Sequence, residues 1–308
     1  GGEYNVAIGN YSLDANTSGD NNVGVGYEAL SGNTTGSSNT MVGFGAGKAN
    51  TTGAANTFVG TNAGNVSTTG AANTFLGSYA GLANTTGDGN TFIGRQAGNA
   101  NTTGWDNTFI GKDAGLNVTT ADRNTFLGGS AGILTTTGAY NTFIGESAGS
   151  SNTTGGQNTF VGMKVGESNT TGGDNINIGM YAGRYNTTGT RNIAIGNNAL
   201  DGPDTENDNL AIGYDALGGS IAGGEYNTSI GNYSMDALTS GDGNTGIGYN
   251  AMTALTTGDG NVSLGRASGT TITTGSNNTV IGKGSDVSAS GAENQVVIGQ
   301  GATGQADN

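Results

Sequence analysis

An aliphatic residue followed by glycine returns every seventeen residues along this chain, and that period leaves few folds open. Counting from Gly9, the pair recurs at Gly26, Gly43, Gly60, Gly77, Gly94, Gly111, Gly128, Gly145, Gly162, Gly179, Gly196 and Gly213. One extra residue intervenes, and the series resumes at Gly231, Gly248, Gly265, Gly282 and Gly299. Eighteen copies of so short a unit predict one supersecondary element stacked on copies of itself. The central copies read NTFIG, two variable residues, AG, two more variable residues, NTTG and a two-residue spacer. Two short runs rich in Thr, Phe and β-branched residues, separated by Gly-containing turns, predict a strand-turn-strand-turn coil; neither run is long enough for a helix. The expected fold is all-β: a parallel β-solenoid of about 18 coils of 17 residues, a single repeat domain over 1–308 with an irregular coil near 201–223.

Two columns should run along such a stack. Asn stands four residues before the anchor Gly in seventeen copies, from Asn5 to Asn278, with Gln295 in the last. Stacked at the inter-strand spacing of roughly 4.8 Å, the amides of Asn56, Asn73, Asn90 and Asn107 can bond to one another as a structural ladder. A polar group repeated at a corner satisfies turn backbone before it binds anything else. The anchor Gly is expected to adopt a backbone closed to other residues or to let neighbouring backbones approach.

The second column is apolar. Phe58, Phe75, Phe92, Phe109, Phe126, Phe143 and Phe160 stand two residues before the anchor, and each is followed six residues later by Gly, from Gly64 to Gly166. Where the first position is small, as in Ala7, Gly24, Ala194, Ala211, Ser229 and Gly246, the later one becomes Leu13, Leu30, Leu200, Leu217, Met235 and Met252. Close-packed interiors hold volume nearly constant, so the two positions are predicted to fill one space from opposite sides of a turn. Asn177 with Gly183 and Ser263 with Gly269 break the exchange and should mark the loosest turns.

Side chains alternate along NTFIG, placing Asn and Phe on one face and Thr and Ile on the other, so both faces carry apolar groups. Ordering seventeen residues costs about 1.5 kcal/mol each, roughly 25 per coil, against a return of about 25 cal/mol per Å² of apolar burial. One coil barely balances alone. Lateral association supplies the missing burial, and a parallel homotrimer gives every chain the same environment.

Composition narrows the partners and the chemistry. Gly contributes 62 residues and Pro one, which excludes collagen. The chain has no Cys and no His, removing most nucleophile, base and metal-ligand sets and every disulfide. A net charge of −14 with scattered Lys and Arg speaks against nucleic acid and anionic membranes, and no apolar run is long enough for direct membrane insertion. No cofactor is expected. Because the sequence opens at Gly1, it is expected to be an internal or processed segment.

From Val280 to Asn308 the chain reads VIGKGSDVSASGAENQVVIGQGATGQADN, which resembles the YadA-like head repeat of trimeric autotransporter adhesins. The upstream NTFIG, AG and NTTG units are similar to repeats of bacteriophage tail fibres and other bacterial surface fibres. The resemblance spans essentially the whole chain and implies a trimeric left-handed parallel β-roll that displays or spaces a receptor-binding surface. The unit here is longer than that of the adhesin heads and carries a Phe ladder. A three-sided helix of about eighteen residues per turn is therefore the alternative cross-section.

The expected function is a structural or adhesive shaft or head of an extracellular fibre, on a virion tail or a bacterial surface, with a cell-surface carbohydrate or protein receptor as partner. Carbohydrate contact is expected at the variable spacer, where Trp105, Tyr140 and Tyr226 offer aromatic faces and Tyr4, Asp106, Arg123 and Arg191 join them. A purely structural filament is the alternative: eighteen coils at about 4.8 Å make a rod of roughly 85 Å. The segment GGEYN, present at Gly1 and Gly223, suggests growth by copying. Ice binding is a third reading, limited because Thr51 and Thr52 are adjacent and only one such column can face outward. No enzyme is expected. Asp204, Glu206 and Asp208 around Pro203 could form a carboxylate pair or bind calcium, but they read as a solvated insertion. The Asn-Thr-Thr triplets at Asn50, Asn101 and Asn152 match the N-glycosylation pattern.

Overall fold

The computed structural model describes residues 1–202, 205–220 and 223–305. Eighteen parallel strands of three residues form a β-solenoid, and no helix occurs among the described residues. The chain divides into two compact units, Gly1–Gly155 and Gly156–Asn308. The first holds β1 (Val6–Ile8) to β9 (Thr142–Ile144), and the second β10 (Thr159–Val161) to β18 (Val296–Ile298).

Inside each unit every strand pairs with the one a coil later, residue for equivalent residue. In the first, Thr74, Phe75 and Leu76 face Thr91, Phe92 and Ile93; in the second, Ile193, Ala194 and Ile195 face Leu210, Ala211 and Ile212. The eighteen-residue step from Asn209 to Asn227 leaves this register intact, since Leu210 still faces Thr228.

Among the described residues only the NTFIG run forms strands. The NTTG run was expected to be the second strand of the coil, and it is a bend instead. The reason lies in its hydrogen bonds: the N–H groups of Thr51 and Thr52 both donate to the carbonyl of Thr68, at 2.9 and 3.3 Å. A strand ladder spreads its donors along the partner, whereas two donors on one carbonyl fold the backbone inward. Each coil also bends at residues in the left-handed region. In the seventh coil these are Asp113 (φ 58°), Gly115 (φ 58°) and Arg123 (φ 56°).

The anchor Gly is required twice over. Gly60 has φ +139°, and a Cβ there would lie 2.5 Å from the carbonyl oxygen of Gly77 in the next coil. Any side chain at this position would force adjacent coils apart.

The inner side of NTFIG is closed. Phe58, Phe75, Phe92, Phe109, Phe126 and Phe143 are fully buried, and neighbouring rings stack with centroids 4.5–4.9 Å apart. A Cβ on Gly98 would meet the Phe92 ring at 2.5 Å, which is the shared space that the Phe/Gly and Ala/Leu exchange requires. At the first exception, Asn177 is buried and its Oδ1 has no partner. At the second, the space beside Gly269 is closed in by Met252 from the preceding coil and by Ile272.

Candidate functional site

The first asparagine column faces the backbone. Oδ1 of Asn56 accepts the Asn73 N–H at 2.9 Å, Oδ1 of Asn73 accepts that of Asn90 at 2.8 Å, and Oδ1 of Asn90 accepts that of Asn107 at 3.0 Å. The amide nitrogens of Asn56, Asn73, Asn90 and Asn107 donate at 2.7–2.8 Å to the carbonyls of Gly70, Gly87, Gly104 and Ala121. Direct amide-to-amide bonds occur at some rungs only, as from Asn107 to Asn90 at 3.2 Å. All four side chains are buried, so their donors and acceptors serve the corner and offer no row of amides to a ligand.

A second buried column went unread in the sequence. The Asn of NTTG turns inward: Asn33 donates to Asn16 Oδ1 at 2.9 Å, Asn50 to Asn33 at 3.0 Å and Asn101 to Asn84 at 2.8 Å. Each of these donors also reaches the Gly carbonyl three residues on, as Asn33 does to Gly36 at 2.9 Å. Its signal was the set of substitutes, Val118, Leu238, Leu255 and Ile272, because such apolar residues recur only at an interior position. Burial also removes the glycosylation reading in the folded chain, since Asn50, Asn101 and Asn152 are closed to solvent.

Outward, the strand presents Thr and an aliphatic residue. Ile8 is 60% exposed, with Val59 and Leu127 also exposed at the same repeat position in the first unit, and Ile298 is 67% exposed, with Ile178 and Leu264 likewise in the second. The first Thr of NTTG is engaged internally, its hydroxyl donating to the next coil, as from Thr51 to Thr68 O at 3.1 Å. The second, Thr52, is exposed, which leaves a single outward Thr column on this run.

At the spacer the first position caps backbone. Asp88 accepts the Ala71 N–H at 2.7 Å, Asp122 the Trp105 N–H at 3.0 Å and Asp242 the Glu225 N–H at 2.8 Å. The second position points into solvent from a left-handed backbone at Tyr4, Asp106, Arg123, Tyr140 and Tyr226. Trp105 and Tyr140, two coils apart, are joined by Arg123: its guanidinium carbon lies 4.0 Å from the Trp105 ring centre and 5.5 Å from that of Tyr140. The Arg123 Nη1–H also donates to the Tyr140 hydroxyl at 2.8 Å. Tyr140 is 55% exposed. Tyr226 belongs to the second unit, where it is 62% exposed.

In the acidic stretch the two described carboxylates, Glu206 and Asp208, are both engaged. Asp204 and Pro203 lie outside the described residues. Asp208 is held by Arg191 through two bonds of 2.7 Å, and that guanidinium lowers it below the ordinary carboxylate range. Glu206 accepts bonds from the N–H and hydroxyl of Thr205. The perturbed group is Asp201, raised to about 6 by burial and then by the charge of Asp215, against an opposing pull from Arg184. Among the described residues no group of three His, Cys, Asp or Glu side chains is placed to hold a metal ion. The chain matches no protein-family model and no curated protein.

Proposed function

We propose that this chain is a shaft or head segment of an extracellular fibre, a phage tail fibre or a bacterial surface adhesin, that assembles as a homotrimer and mediates or spaces attachment to a cell. The observation that carries the proposal is the outer aliphatic column. The inner position is buried in every strand but the first, Val6–Ile8, while every strand repeats a second apolar residue outward at the same position. A repeated apolar column that solvent leaves partly bare is best covered by an identical column in register, which a parallel oligomer supplies. The likeness of the repeats to adhesin heads and tail fibres supports the same assignment.

Light scattering on the purified chain should give three times its 30.2 kDa mass at micromolar concentration. The double substitution Ile93→Lys/Ile110→Lys should release smaller species; a monomeric parent would overturn the trimer. Fluorescently labelled trimer should then bind intact cells saturably. The uniformity of the coils favours a second reading, a spacer without a receptor, and a labelled trimer that binds no cells among a broad bacterial panel would establish it.

A further inference from the structure

The repeats of one chain align with one another, which separates residues that build the coil from residues that do not. In the first unit three successive spacers are small: Ser37 with Ser38, Ala54 with Ala55, Ala71 with Ala72. Three successive spacers depart together, as Trp105 with Asp106, Asp122 with Arg123, and Ala139 with Tyr140. The coil needs none of these large side chains, because other copies stack with alanine. Their convergence at 4.0 and 5.5 Å around one guanidinium is therefore a feature added to the scaffold.

We infer that Trp105, Arg123 and Tyr140, with Asp106 and Asp122 beside them, form a binding site for a neutral pyranose glycan. This rests on the attachment function proposed above. A pyranose carries an apolar C–H face, hydroxyls that donate and hydroxyls that accept. The exposed ring of Tyr140 receives the C–H face. Arg123 forms no ion pair among the described residues, so its remaining N–H groups donate to sugar oxygens. Carboxylates accept from sugar hydroxyls in turn: Asp106 is exposed, and Asp122, which uses Oδ1 on the Trp105 N–H, is half-buried. Asp88, Asp106 and Asp122 stand at the spacers of three consecutive coils on a chain of net charge −14, and this excess of carboxylates disfavours uronates and sialylated sugars. The site thus discriminates by charge in favour of neutral hexoses.

Trp105 is the only tryptophan, so its fluorescence reports on this corner alone. Titration of the full chain with neutral gluco-, manno- and galacto-oligosaccharides should give a saturable change for at least one of them, and none with hexuronate oligosaccharides. Arg123→Ala and Tyr140→Ala should each weaken that affinity at least about tenfold, and Tyr140→Phe, which loses only the hydroxyl bond, by about threefold. Thermal unfolding of the variants should match the parent, since the corner tolerates alanine elsewhere. Saturation by the hexuronates instead, or no response to any sugar, overturns the site. Cell binding separates the two proposals. If labelled Trp105→Ala trimer still binds cells as the parent does, this site is wrong and attachment stands; if the parent binds no cells, the attachment function fails.

Discussion

The coils of β5 (Thr74–Leu76) to β8 (Thr125–Leu127) in the first unit and those of β12 (Ile193–Ile195) to β15 (Thr245–Ile247) in the second solve one packing problem in opposite ways. In the first set, Phe fills the interior and Gly81, Gly98, Gly115 and Gly132 sit at φ 57–58°. In the second, the strand position is Ala, Ser or Gly, and Leu200, Leu217, Met235 and Met252 fill the space from φ 49–53°. The turn backbone is the same in both. A left-handed conformation costs a non-Gly residue roughly 1–3 kcal/mol, and burying Leu or Met returns about 1.5–3. Interior volume thus outweighs local preference, and the second set carries strain that the Phe coils avoid. The polar columns differ as well, for Asn84 and Asn101 bond to each other where Leu238 and Leu255 pack.

The largest test breaks the exchange on one side. Phe92→Ala should leave a cavity between Phe75 and Phe109 and cost about 3–5 kcal/mol in denaturant unfolding. Gly98→Leu alone should also destabilise, because its Cβ meets the ring. Together the two should convert a Phe coil into a Leu coil and recover all but about 1–2 kcal/mol, the left-handed strain. If the double variant is as unstable as the sum of the singles, the positions do not share a space.

Asn177→Phe moves a coil the other way. It replaces a buried amide whose oxygen has no partner and stands opposite Gly183, as every Phe of the first set stands opposite a Gly. Stability should rise by about 2 kcal/mol. Ser67→Asn should join the amide column that stops at Asn50 to the one that starts at Asn84, since Asn50 Oδ1 and Ser67 Oγ both lack partners. The gain should be about 1 kcal/mol.

The smallest effect is a pH dependence confined to the second unit. Asp201 follows Leu200, and its folded pKa of about 6 lies above the unfolded value of about 4. Its proton therefore stabilises the folded state fully below about pH 4, and that contribution is lost as pH rises through about 6. Unfolding midpoints of the parent should fall across that window relative to Asp201→Asn. Parallel profiles for the two proteins would contradict the assignment.

Much of this architecture was legible beforehand. The period, the burial of Asn and Phe beneath Thr and Ile, and the exchange of Phe92 with Gly98 against Ala211 with Leu217 are properties of a repeat compared with itself. The inward turn of Asn101 was not legible, because its triplet sits in a run expected to be a strand with one side outward. Asp122 looked like part of a variable exposed spacer, yet its carboxylate caps the N–H of Trp105. Asp201 carried no distinguishing neighbour in sequence.

Covalent spacing dictated the coil length and which residues share a column, because a period of seventeen with an invariant glycine permits a single register. Hydrogen-bond partners and strand count were decided only by stacking. Whether NTTG extends or bends, whether its Asn turns inward, and which N–H groups each spacer receives depend on carbonyls a full coil away. Those carbonyls come within reach only once the coils are closed upon one another.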